Sequence, residues 1–207
     1  MISQDTILQT KITAPTVKEY VLRRAKIARK LKAVTNFGVT MVHSGPGYGK
    51  STIVASFVPA FDAITCWYTA TELDDELIPF LRYVIHSIRN ENGEFGENLL
   101  YFLDRMDRYI REEEVQDFCS LFINEIAKIQ NSLILIIDDF HFVQNNTEII
   151  IWFHWLLHHI PNNLHLILIT RQRPDWEMVT AMKVKNELME ITEDDLKFSK
   201  DEVEVLL

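Results

Sequence analysis

Nine consecutive residues carry the clearest chemistry in the chain: Ser44, Gly45, Pro46, Gly47, Tyr48, Gly49, Lys50, Ser51 and Thr52. Glycine at every second position lets the backbone wrap tightly and aim several N–H groups inward, where side chains would obstruct an incoming phosphate. The phosphate-loop pattern G-x-x-x-x-G-K-[ST] is met at Gly49, Lys50 and Ser51. Its first glycine position holds Ser44, with Gly45 directly beside it. A helix starting at Lys50 would offer unpaired N–H groups and its positive dipole end to the same anion. Lys50 would reach the β and γ phosphates of a nucleotide, and the Ser51 hydroxyl would ligate Mg²⁺.

Two further clusters fit the same ligand. The aliphatic run Leu133 to Ile137 ends in Asp138 and Asp139. A buried strand that ends in an acid delivers a carboxylate to a nucleotide-bound Mg²⁺, the role of a Walker B segment. Asp138 would hold the metal, mostly through water, because Mg²⁺ keeps several of its waters. Asp139 would orient or activate an attacking water, or else cap the turn after the strand. A second run, Leu166 to Ile169, ends in Thr170 and Arg171. Either residue would sense the γ-phosphate or stabilise transition-state charge. Arg173 lies two residues on, and spacing alone does not say which arginine turns inward.

These groups need a scaffold that brings three strand ends together. Val39 to His43 reads as the strand before the phosphate loop, and Lys50 to about Val58 as the helix after it. Ile64 to Tyr68, Leu133 to Ile137, Leu164 to Thr170 and Leu188 to Ile191 read as further strands. Between them, Glu76 to Arg89, Leu99 to Ile129 (two helices interrupted near Arg111) and Thr147 to His159 carry helical periodicity. Strands alternating with helices predict a three-layer α/β fold, a parallel sheet with helices on both faces. Residues 1–15 read as an extended arm, and Thr16 with Glu19 predicts a capped helix over roughly 17–33. Ser199 predicts the cap of a last helix starting at Lys200, and the stop inside that pattern suggests a piece of a longer chain.

Composition narrows the class. Of 207 residues, 47% are hydrophobic and 25% charged, which excludes a wholly disordered chain; six glycines and six prolines exclude a collagen-like one. No apolar run reaches the ~20 residues of a membrane helix, and the first residues lack a signal-peptide pattern, so a cytoplasmic protein is expected. Two cysteines, Cys66 and Cys119, make no disulfide framework. The net charge of −9 disfavours polyanion binding, although residues 16–33 hold seven basic groups against Glu19 alone. That segment reads as a solvated helix face. His154 and His158, spaced i, i+4, lack a third ligand and read as packing residues; Tyr101, Phe102 and Tyr109 read as core.

The order of these motifs resembles the nucleotide-binding domain of MalT-like regulators, the large ATP-binding members of the LuxR class, which belong to the STAND signal-transduction ATPases. The residues that carry the resemblance are Lys11-Ile12, Pro15, Val21 to Arg24, Ser44 to Ser51, Trp67-Tyr68, Ile137 to His141, and Thr170-Arg171. Ser at the first loop position is usual in that family. The resemblance spans about residues 8–207. It implies a P-loop NTPase of ASCE/STAND type, with an added strand between the Walker A and Walker B strands. It also implies that residues 1–35 form an arm and basic helix flanking the nucleotide, that Val21 and Arg23 pack near the adenine, and that 36–207 form the ATPase core. Thr71 departs from a family Asp after Trp-Tyr, whereas Asp74 keeps another.

The expected function is therefore a regulatory switch that binds ATP or ADP with Mg²⁺ and hydrolyses slowly, with catalytic roles for Asp139 and Arg171. The partners that the resemblance implies are a winged helix, helical repeats and a DNA-binding helix-turn-helix beyond Leu207, with self-association in ATP. By itself this chain should bind neither membrane nor specific DNA. Two rivals stand beside the switch. One is a catalyst, a P-loop kinase or motor-type ATPase, with 171–186 as a basic lid. The other is a degenerate module that holds nucleotide without turnover.

Overall fold

The computed structural model describes residues 7–17, 24–106, 110–199 and Glu202. Five strands form one sheet: β1 (Val39–His43), β2 (Ile64–Thr69), β3 (Leu133–Asp138), β4 (Leu164–Thr170) and β5 (Leu188–Ile191). Their order is β2-β3-β4-β1-β5 and every pair is parallel. β4 thus stands between β1, which leads into the phosphate loop, and β3, which ends in the acid pair. This is the inserted strand that the resemblance implied.

Eight helices surround the sheet among the described residues: α1 (Ala25–Lys32), α2 (Lys50–Phe57), α3 (Leu77–Glu91), α4 (Glu97–Leu103), α5 (Glu112–Ala127), α6 (Thr147–His158), α7 (Glu177–Val184) and α8 (Glu193–Leu196). Strand side chains alternate between two cores, as the two-residue period requires. Leu133, Leu135 and Ile137 of β3, with Leu164, Leu166 and Leu168 of β4, face α3, α5, α6 and α7. Ile134, Ile136, Ile167 and Ile169 face the other way, against Ile27 and Leu31 of α1 and Val54 and Ala55 of α2. Burial on both faces explains why β3 and β4 read as unbroken aliphatic runs. On the first face the packing is strongly aromatic. Trp152 meets Phe80 and Phe122 edge-on at 5.7 and 5.6 Å, and Phe140 meets Phe153 and Trp176 at 5.2 and 5.6 Å.

Several local expectations are corrected. Residues 14–17 are not helical, and α1 begins at Ala25 after an extended Arg24, so Thr16 caps no helix at residue 17. Glu19 lies outside the described residues. The basic segment is a solvated face only in part: Lys26, Arg29 and Lys32 are exposed, but the segment also makes ion pairs and buries one arginine. Lys26 and Lys30 pair with Asp195 of α8 at 2.8 and 2.6 Å, and the Arg24 side chain is buried. Opposite charge across the α1–α8 contact accounts for this. Tyr101 is exposed, with Arg105 over its ring, whereas Phe102 packs on Phe118; Tyr109 lies outside the described residues.

Other local signals hold. Arg111 caps α5, its N–H bonded to Glu114 at 2.9 Å. Ser199 exchanges capping hydrogen bonds with Glu202 at 2.8 and 3.2 Å. Cys66 and Cys119 are buried, unpaired thiols. One does not: His154 and His158, read as packing residues, lie exposed on α6 with their rings 4.3 Å apart, because they sit on the face turned away from Trp152, Phe153 and Leu156. No group of three metal-ligating side chains occurs among the described residues.

Candidate functional site

The parallel sheet places the carboxyl ends of β1, β3 and β4 at one edge, where open α/β sheets bind ligands. Residues 44–49 join β1 to α2 there. Gly47 and Gly49 take φ of +84° and +69°, left-handed conformations that side chains resist. Gly49 is the residue before α2, so the loop turns directly into the first helical N–H groups. Ser44 is buried, while Pro46, Gly47, Gly49 and Thr52 are exposed at the loop surface and helix start. The nearby Glu193 carboxylate at the start of α8 pushes the Tyr48 hydroxyl above its ordinary pKa.

The Lys50 ammonium donates to the carbonyls of Ser44 and Gly45, both at 2.9 Å, and so lies across the loop. Burial pushes its pKa below the ordinary lysine value, opposed by the nearby charges of Asp139 and Asp138. Ser51 donates its hydroxyl to Asp138 Oδ1 at 2.8 Å, and the Asp139 N–H donates to the same oxygen at 2.9 Å. Burial dominates at Asp138 and pushes its carboxyl up to about 6, although the Ser51 hydrogen bond works the other way. A hydroxyl and a buried carboxylate set side by side supply two hard oxygen donors, which suits a Mg²⁺ that brings its remaining ligands as phosphate and water. The positive-φ glycines, the lysine across the loop and this oxygen pair together fit a Mg·nucleotide.

Asp139 turns the chain off β3 in a left-handed conformation (φ 52°), and its side chain is 44% exposed. A one-turn helix, Phe140–Phe142, follows and places His141 near Asp139, with Nδ1 at 3.7 Å from Asp139 Oδ1. On β4, Thr170 is buried; its hydroxyl donates to Gln144 Oε1 at 2.8 Å. Trp176 donates its indole N–H to the Gln144 carbonyl at 3.2 Å. Gln144 therefore ties the segment after β3 to the end of β4.

The two arginines separate clearly. Arg173 pairs with Glu190 of β5 at 3.3 Å, and Lys183 of α7 pairs with the same carboxylate at 2.5 Å. Arg171 is exposed, lies over the Phe142 ring at 5.9 Å, and acts electrostatically on both Lys50 and His141. Of the pair, Arg173 is engaged by β5, and Arg171 is the one near Lys50 and His141. Val21 and Arg23 lie outside the described residues.

Gln144 was not found from sequence, and His141 and Arg24 entered only as members of family motifs, with no role of their own. Gln144 and His141 sit in positions that only the turn after β3 defines. Arg24 donates to the carbonyls of Leu196 and Asp195 at 2.7 and 3.3 Å, to that of Lys197, and to Glu202 at 3.1 Å. It thereby fastens the segment before the core to the end of α8. The sequence offered it as the end of the Val21 to Arg24 motif in a basic run, with no sign of its partners.

No family model matches the chain. Curated relatives do: the HTH-type transcriptional regulators MalT of two Klebsiella pneumoniae strains are each 25% identical over 199 residues, 95% of this chain. The chain spans 21% of the length of these relatives. Among solved structures, the Walker-type ATPase of Pyrococcus abyssi superposes with a TM-score of 0.55 at 13% identity. The match covers 91% of this chain and 57% of that one, a likeness of fold.

Proposed function

From the premise that this chain is a MalT-like nucleotide-binding domain with an ATPase-type P-loop fold, we propose that it is an ATP/ADP-binding switch of a transcriptional regulator, Mg²⁺-dependent and slow in hydrolysis. The observation that carries the proposal is the Ser51–Asp138 hydrogen bond, which brings the two expected metal ligands together from separate elements. In this reading Gly45, Gly47 and Gly49 admit the phosphates to backbone N–H groups, and Lys50 leaves the loop carbonyls for phosphate oxygens. Ser51 and Asp138 would hold Mg²⁺. Bound Mg²⁺ would neutralise charge on the phosphates. Asp139 orients the attacking water, and Arg171 meets charge on the γ-phosphate. Val21 and Arg23 remain proposed neighbours of the adenine.

A kinase reading needs a basic lid over residues 171–186. Two features favour the switch over it. Trp176, Met178, Val179 and Met182 are buried in the core, which anchors α7 to the sheet. Arg173 and Lys183 are both engaged by Glu190. The further domains and ATP-linked self-association of MalT-like regulators belong to this proposal too, as does a cytoplasmic location; among the described residues no helix is long and apolar enough to cross a membrane.

The test is tight-nucleotide analysis. The purified chain is denatured, and released nucleotide is identified by chromatography beside Lys50→Ala. Release of ADP or ATP from wild type alone supports a retained switch ligand. A wild type that releases none and also fails to bind added Mg·ATP overturns the proposal, and rapid phosphorylation of an added small molecule would favour the kinase.

A further inference from the structure

The His141 imidazole presents an unsolved problem of polarity. Its side chain is 14% exposed, yet neither Nδ1 nor Nε2 has a hydrogen-bond partner among the described residues. The nearest carboxylate oxygen, on Asp139, lies at 3.7 Å, beyond hydrogen-bond reach. Such orphaned groups are rare because an unmet polar atom away from water is destabilising. The ring is not loosely placed. It packs on Phe142 with centroids 4.2 Å apart, and the one-turn helix behind it is fixed by buried Phe140.

The surroundings indicate what completes it. His141 feels the positive charges of Arg171 and Lys50 and the negative charge of Asp139. Burial, with Arg171 and Lys50, disfavours the charged imidazolium. A neutral ring carries one N–H donor and one acceptor. A donor beside two cations suits an anionic oxygen, and His141 stands next to Asp139 of the acid pair that closes β3.

We propose that His141 donates a hydrogen bond to the γ-phosphate of a bound nucleoside triphosphate, and so lets the site tell ATP from ADP. The proposal rests on the nucleotide-switch reading. A merely structural histidine would support both nucleotides alike; a γ-phosphate contact supports only one. A hydrogen bond to a charged oxygen is about 1.5–3 kcal/mol in strength, which corresponds to roughly tenfold or more in affinity.

The experiment measures equilibrium binding of Mg·ATPγS and Mg·ADP, by displacement of a fluorescent ADP analogue, to the 207-residue chain and to His141→Phe, His141→Gln and Lys50→Ala. His141→Phe keeps the ring stack on Phe142 and removes both nitrogens. The expected result is that His141→Phe weakens ATPγS by about tenfold and leaves ADP within about twofold. His141→Gln, which restores a donor, recovers part of the loss. Thermal melts of both variants show that the fold persists. Equal weakening of both nucleotides, or no change in either, overturns the proposal while the nucleotide site stands. A wild type that binds neither nucleotide, like Lys50→Ala, removes the switch reading and this inference together.

Discussion

Ser51 and Asp138, separated by most of the core in sequence, share a 2.8 Å hydrogen bond that joins the first turn of α2 to the last residue of β3. In the proposed site both would meet the metal, while burial of Asp138 opposes the ionised form that the Ser51 hydrogen bond favours. Buried Asp138 has its carboxyl pushed up to about 6, against ~3.9 for an unfolded chain, so the ionised form is disfavoured in the folded state. Its contribution to stability is full below pH ~4 and is lost as pH rises through about 6. Asp138→Asn should therefore stabilise the metal-free chain at pH 7.5 by on the order of 1 kcal/mol, and weaken Mg-dependent nucleotide binding at least tenfold. Urea unfolding in chelator, at pH 5 and 7.5, checks this; a variant less stable than wild type at pH 7.5 would refute it.

The loop glycines should rank by backbone conformation. Alanine at Gly47 or Gly49 meets no atom within 4 Å but must adopt positive φ, a strain of about 1 kcal/mol each. Alanine at Gly45 meets Tyr48 Cε2 at an ordinary 3.8 Å without a positive φ, and should be nearly neutral. Gly96→Ala, far from the site, combines positive φ (84°) with a collision against Ile85 and should cost the most. Denaturant midpoints of the four variants give the order directly.

Lys11 of the arm forms a buried ion pair with Asp74 and lies over the Tyr83 ring at 3.9 Å. Asp74 also accepts from the Thr71 N–H and hydroxyl at 2.8 and 3.0 Å. Lys11→Met would strand the carboxylate and should destabilise by roughly 3 kcal/mol, whereas Lys11→Met with Asp74→Leu should cost less than the sum of the singles. A double-mutant cycle by chemical denaturation tests the coupling, and strict additivity would count against a buried pair.

Acid should act through Asp195. Burial opposes ionisation there, but Lys26, Lys30 and the Thr192 N–H outweigh it and hold the carboxyl well below the usual carboxylate range. A depressed pKa gives stability that is present above the unfolded value of ~3.9 and lost as pH falls toward the folded one. Asp195→Asn should lower stability at pH 7 by about 1 kcal/mol and flatten the loss below pH ~4. Parallel acid titrations followed by circular dichroism would expose an unchanged acid limb.

The site was legible in sequence where chemistry and strand pattern coincide locally. Gly47, Gly49, Lys50 and Ser51 lie in one short stretch, and β3 announces Asp138 by its aliphatic run. Less legible were features that depend on which distant elements meet. The start of α1 was misread because Thr16 and Glu19 satisfy a capping pattern that the extended backbone at Arg24 overrides. The grip of Arg24 on α8 joins positions 178 residues apart in the case of Glu202, and no periodicity encodes such a partner. Arg171 and Arg173 looked equivalent until Glu190 on β5 claimed one of them.

The strand order bears on how the chain is made. β1 lies between β4 and β5, so Val39 waits for Leu166 and Leu188, residues near the opposite end. At synthesis rates of ~5–20 residues per second, β1 leaves the ribosome on the order of ten seconds before either neighbour exists. During that interval Val39, Met41 and Val42 have no sheet to join, and the glycine loop has no second wall. A nascent chain therefore cannot use nucleotide to guide its early folding. Ligand can act only as a late clamp on a nearly finished domain, and the unpaired β1 is a natural station for a chaperone.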